Sequence, residues 1–545
     1  MLSRREKMNR IVGGAIGLAA IFSFIGIAVG SLLGLKSQDG VADFFSDPVL
    51  LPALGFTLWQ SLLSTFLSLA FGIPVAMAFA RRRQFPGRQW LVRLMAVPMG
   101  LPVLIGALGL LGIWGRTGLI NDVLGLIGFG QPFSIYGLSG ILLAHVFFNM
   151  PLAVRLLLVG LERVPGEYWL MAGELGMKRH AVFRFIEWPA IRRVLPGAAG
   201  LIFMLCATSF TLVLMLGGGP AATTIEVAIY QSLRFDSDPG RAVSLAFLQI
   251  LLTASILGVM ALFPAPADFN ADSGRIKCRF DGAGIGARFY DGLFIAVAGL
   301  YLCLPLLSIV VSGLRADLGR LLSERAVINA TLTSLAVSIC AGLMSVLLSV
   351  FLIRAMLALR TRRVSMTARS FSGLLSSTSS LVLLVPTVVL ATGWFMVLRA
   401  FGDVARYAPV IVVGINALMA LPFAMRVLLP AFESHAQGTG RLAASLGISG
   451  WARMRRIDFP ILWRPLAMAL SFAMALSLGD LGAVALFGSE NLTTLPWLVY
   501  SRLGSYRTAD ADGLALLLGL VCLALTIAGT AGSHSNNRRE AVLRG

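Results

Sequence analysis

Residues 162–193 read ERVPGEYWLMAGELGMKRHAVFRFIEWPAIRR, a polar and basic interruption between two strongly apolar runs. Met171, Ala172 and Leu175 fall at helical spacing before Gly176, and Phe183 and Ile186 resume the pattern before Pro189. The spacing predicts helix, glycine turn, helix. Glycine ends the first arm because it enters the left-handed region without a Cβ clash, and Pro189 is preorganised for the first turn of the helix that follows.

The same design recurs at 433–464, ESHAQGTGRLAASLGISGWARMRRIDFPILWR. One offset of 271 carries Ala172, Gly176, Arg184 and Pro189 onto Ala443, Gly447, Arg455 and Pro460. A fixed Gly-to-Pro interval that appears twice implies an internal duplication, so the chain reads as two halves of one plan.

Outward from these loops the chain is apolar: 57% hydrophobic, 13% charged, with a mean hydropathy of +0.84. That composition belongs in a bilayer. The first half, 1–264, has apolar runs near 11–35, 55–80, 92–113, 136–160, 194–216 and 241–264. The second half, 289–545, has them near 289–313, 328–355, 373–399, 409–430, 465–487 and 509–531. The expected fold is an all-α polytopic membrane protein of about twelve spans in two tandem repeats. The polar, glycine-rich, basic segment 265–288 reads as the linker between them.

The net charge of +19 does not form a basic stripe of the kind that holds nucleic acid. It follows the membrane instead. With the N-terminus cytoplasmic, 34 of the 45 Lys and Arg collect on the cytoplasmic side and 11 on the other, which is the positive-inside bias. Twelve spans then put both termini, both loops and the linker inside. The Gly13/Gly17 and Gly26/Gly30 pairs in the first span suggest close helix packing.

Reaction chemistry finds little support. None of the four lysines follows a glycine, so there is no P-loop to cradle phosphates. The five cysteines and four histidines show no metal-ligand spacing, and His145, inside an apolar run, reads as a packing or pore-lining residue. Glu167, Glu174 and Glu187 read as loop charges. Asp480, in ALSLGDLGAVALF, is the conspicuous acid of an apolar segment, and its counterpart in the first half is Ser209. A carboxylate facing hydrocarbon is costly, so Asp480 either caps a helix break beside Gly479 or, with Ser209, faces a passage between the two halves or a partner.

The Ala172, Gly176, Pro189 and Ala443, Gly447, Pro460 patterns resemble the "EAA" loop of ABC importer permeases. The family's leading Glu is absent: Leu170 and Arg441 stand there. The resemblance implies that these short helices, with Arg184 and Arg455, dock on two cytoplasmic ATPase subunits, which bind ATP and Mg, while this chain holds no cofactor. Two external stretches are also duplicated, 216–242 and 486–511, where Thr223, Thr224 and Tyr230 match Thr493, Thr494 and Tyr500 at an offset of 270. They should face the periplasm, toward a binding protein. With LAHVFFNMP at 143–151, FIEWPAIRR at 185–193 and GDLGAVALFG at 479–488, they resemble the fused thiamine and thiamine-pyrophosphate permeases nearly end to end. That implies uptake across a bacterial inner membrane with a periplasmic thiamine-binding protein. An iron(III) importer of the same architecture is the near alternative. A secondary transporter is the distant one, and it would need ion-coupling groups near the midplane.

Overall fold

The computed structural model describes residues 4–36, 47–116, 118–128, 134–263, 279, 284–359, 366–445, 450–488 and 492–531. Apart from Arg279 and the residues from 284 on, the linker expected at 265–288 lies outside them, as does Cys278. The described residues form helices joined by turns, and eleven helical segments among them are long and apolar enough to cross a membrane. The twelfth expected span, 373–399, is two helices, Met366–Val382 and Thr387–Phe401. Pro386 caps the second of them in an extended conformation, because a proline disfavours helix in the residue before it and supplies no N–H. The first repeat breaks likewise. The span expected at 92–113 becomes Arg88–Leu94, Val97–Gly100 and Val103–Trp114, the last capped by Pro102.

The fifth span is interrupted in both repeats. Trp188–Ala207 gives way to the short Thr211–Leu216, and Phe459–Leu478 to Gly482–Phe487.

The helices pack in two compact units that interleave the sequence halves. One unit gathers Phe44–Ala228 and Leu251–Leu314; the other gathers Met1–Asp43, Ile229–Ile250 and Arg315–Gly545. The first helix of each repeat packs on helices of the other repeat. In Arg4–Lys36, Gly14 lies so close to Arg325–Leu359 that a Cβ there would stand 2.2 Å from Ala355 Cβ. Ser31 of the same helix donates to the Gly393 carbonyl at 3.0 Å. Gly13 and Gly17 also meet that partner helix, through Phe351, whereas Gly26 and Gly30 face open space. In Ile285–Arg315, Tyr301 donates its hydroxyl to the Leu143 carbonyl at 2.6 Å.

Within the spans some buried polar side chains pair with one another, which offsets the cost of a low-dielectric surrounding. His145 is buried with Nδ1 2.8 Å from Ser64 Oγ. Its repeat counterpart Asn416 donates to Ser477 Oγ at 2.9 Å.

Candidate coupling site

The first loop has the geometry that its spacing predicts. Helix Gly166–Glu174 starts after Pro165 and ends in a left-handed Gly176, φ +59°. Met177 N–H reaches the Ala172 carbonyl at 2.9 Å and Gly176 N–H reaches that of Gly173 at 3.1 Å, the paired bonds of a Schellman turn. The chain continues through Arg179–Val182 and a π-helical turn, Phe183–Glu187, into Trp188–Ala207, with Pro189 in its first turn.

Trp169, Ala172 and Val182 form a small buried core with Val164, Met177 and Ile186 against it. Ala172 is therefore a packing residue that lets the two arms approach. The outer face is apolar but uncovered: Tyr168 and Met171 are each 55% exposed, Phe185 65% and Leu175 73%. Arg184 is exposed beside the Phe185 ring, 5.7 Å from its centroid. Behind the first arm lies a groove of about 780 Å³, lined by Leu156, Val164, Tyr168, Ile186 and Pro189 among others. Exposed apolar surface on a short, internally braced arm suits docking to another protein.

The second loop is built differently. Helix Val404–Ser445 runs unbroken for 42 residues through the position of the first arm and includes Ala443; Gly447 lies outside the described residues. Gly450–Arg453, a π-helical turn Met454–Asp458 and Phe459–Leu478 follow, with Pro460 in the first turn and Arg455 exposed.

The π turns end on acids, Glu187, which the sequence presents as a loop charge, and Asp458. Glu187 is 1% exposed, 3.4 Å from Arg81 and 2.5 Å from Arg279. Arg81 also binds the fully buried Asp291 at 2.9 Å, which Arg82 meets at 3.2 Å. Asp458, at the matching position, is held by His435 at 2.7 Å, Arg453 at 3.4 Å and Arg354 at 3.8 Å. A signal was present: the offset of 271 puts an acid before an aromatic residue and proline in both copies, Glu187-Trp188-Pro189 and Asp458-Phe459-Pro460.

The candidate translocation residues sit at the interruptions of the fifth spans. Asp480 accepts from Gly482 N–H at 3.3 Å and from Ala483 N–H at 3.2 Å, so it caps the helix that follows. Ser209 occupies the equivalent break, half-buried.

In the duplicated stretches 216–242 and 486–511 the second threonine of each pair is buried, Thr224 and Thr494 at 1% and 3% exposed, while Thr223 and Thr493 are half-buried. They mark helix starts whose first amides are bonded to a span, Ile225 N–H to Thr57 Oγ1 at 3.0 Å and Leu495 N–H to Ser334 Oγ at 2.7 Å. These bonds fasten each stretch to a span.

Residues 72–265 and 355–539 each match the family described as "Binding-protein-dependent transport system inner membrane component". The chain belongs to that family. It is a fused permease, with the family's domain present twice in tandem, and a component of an inner-membrane transport system. Full-length relatives named "Thiamine transport system permease protein ThiP" agree. The permease is 47% identical to that of Brucella abortus (strain 2308) over 98% of this chain and 97% of the relative. It is 40% identical to that of Escherichia coli (strain K12) over 96% and 97%, and 36% identical to that of Haemophilus influenzae over 94% of each.

Proposed function

We propose that this permease carries thiamine and thiamine pyrophosphate from the periplasm to the cytoplasm by alternating access, driven by two copies of a separate ATPase. The ATPase subunits hold the ATP and Mg, a periplasmic thiamine-binding protein delivers the substrate, and both termini lie in the cytoplasm. The full-length similarity to thiamine transport permeases is the observation that carries the substrate. It favours thiamine over iron(III).

In this reading Ala172, Gly176, Arg184 and Pro189, with Ala443, Gly447, Arg455 and Pro460, form the two docking loops. The braced, apolar-faced first arm supports that role. Asp480 and Ser209 line the path at the breaks of the fifth spans. There one anion lowers the barrier for the permanently charged thiazolium without trapping it, while its capping bonds hold the break in shape.

Uptake of labelled thiamine in cells stripped of their own thiamine importer tests the reading. Expression of this permease with its ATPase and binding protein should restore uptake, and excess unlabelled thiamine pyrophosphate should suppress it. Suppression by ferric iron instead would transfer the assignment to the metal.

A further inference from the structure

Arg279 follows the first repeat in sequence and precedes the first helix of the second, yet its side chain is only 2% exposed. Its guanidinium lies 3.8 Å from the centroid of the Trp169 ring and 2.5 Å from Glu187 Oε1. Trp169 belongs to the arm before Gly176, and Glu187 ends the π turn of the arm after it. One arginine from outside the loop therefore touches both of its arms.

We propose that Arg279 is a positioning residue for the first coupling loop, a clamp between Trp169 and Glu187 that fixes the angle of the docking arm. The proposal rests on the coupling role given to this loop above. A desolvated cation over an indole face and a charge-assisted bond to a buried carboxylate are both directional and strengthen with burial. They act on a loop whose own buried core is three side chains, with Gly176 in the left-handed region between its arms. Through Glu187 the clamp joins Arg81 at the end of Leu50–Arg81, and through Arg81 it joins Asp291 on Ile285–Arg315. Displacement of the docking arm thus pulls on two spans through one chain of ion pairs.

Substitution of Arg279 isolates the clamp from the fold. Without it Glu187 keeps Arg81, and Asp291 keeps Arg81 and Arg82, so no buried carboxylate loses its last partner. Hydrogen exchange of the full-length chain in nanodiscs reads the arm directly and needs no ATPase. Arg279→Gln should raise exchange of the amides from Trp169 to Leu175 at least tenfold while exchange in Arg325–Leu359 stays within twofold. Trp169→Leu should do the same, the double variant should add little, and Arg279→Lys should restore most of the protection. In proteoliposomes with the ATPase and binding protein, Arg279→Gln should lower thiamine uptake at least fivefold with the amount of bound ATPase unchanged. Exchange within twofold of wild type at the arm, an equal rise throughout the chain, or undiminished uptake from a loosened arm would each overturn the proposal. If wild type itself carries no thiamine, the transport reading fails while the exchange measurements still decide the clamp.

Discussion

The loops at 162–193 and 433–464 come from one duplicated sequence, yet their first arms are built in different ways. In the first, Val164-Pro165 interrupts the chain between Leu138–Glu162 and Gly166–Glu174, so the arm is a separate short helix. In the second, Ala436 stands where Pro165 would, and the span continues as one helix to Ser445. The anchoring acid differs as well. Glu187 is gripped by two arginines at under 10% exposure, whereas Asp458 has a close histidine and longer arginine contacts. A duplicated motif thus preserves the place of an anchor and lets its chemistry drift. A detached arm needs a stronger anchor than one that is the tip of a 42-residue helix.

The largest difference should come from the acids. Glu187→Gln removes a buried carboxylate from between Arg81 and Arg279 and should cost about 3 kcal/mol. Asp458→Asn weakens a looser set and should cost about 1.5 kcal/mol. Thermal unfolding of the two purified variants compares them, and equal losses would remove the contrast. Restoring helical continuity in the first loop should have a smaller effect. Pro165→Ala lets a backbone N–H donate again and should slow hydrogen exchange around residues 163–167; unchanged exchange there would mean that Pro165 does not separate the arm.

Smallest is the asymmetry of the fifth-span breaks. Asp480→Asn keeps shape and most capping while deleting charge, at a stability cost of about 1 kcal/mol or less. Thiamine uptake should fall severalfold at unchanged expression, and wild-type uptake would leave Asp480 as a cap and nothing more.

The architecture and the first loop were legible because their signals are local. Apolar runs, Gly176 and Pro189 report chain conformation directly, and the recurring interval exposed the duplication. The breaks within 92–113 and 373–399 escape hydropathy, which does not register a proline that caps a new helix, as Pro102 and Pro386 do. The ion network was hidden for another reason. Arg81, Glu187, Arg279 and Asp291 lie far apart in sequence, and of the four only Glu187 reads as a loop charge there; packing shows them buried together. The interleaving of the repeats is equally non-local, resting on contacts such as Gly14 with Ala355 and Tyr301 with Leu143.

In the proposed function, the helix-turn-helix geometry of the first loop turns ATP hydrolysis into substrate movement. Gly176→Val tests it: at φ +59° a β-branched residue is strained by roughly 1–2 kcal/mol, although its Cβ would meet nothing within 4 Å. Labelled thiamine accumulation is to be measured in proteoliposomes holding the permease, its ATPase and its binding protein. Wild type should accumulate thiamine only when ATP is supplied on the ATPase side, and Gly176→Val, inserted and ATPase-bound at normal levels, should accumulate almost none. Uptake without ATP, or wild-type uptake by the valine variant, would contradict the account.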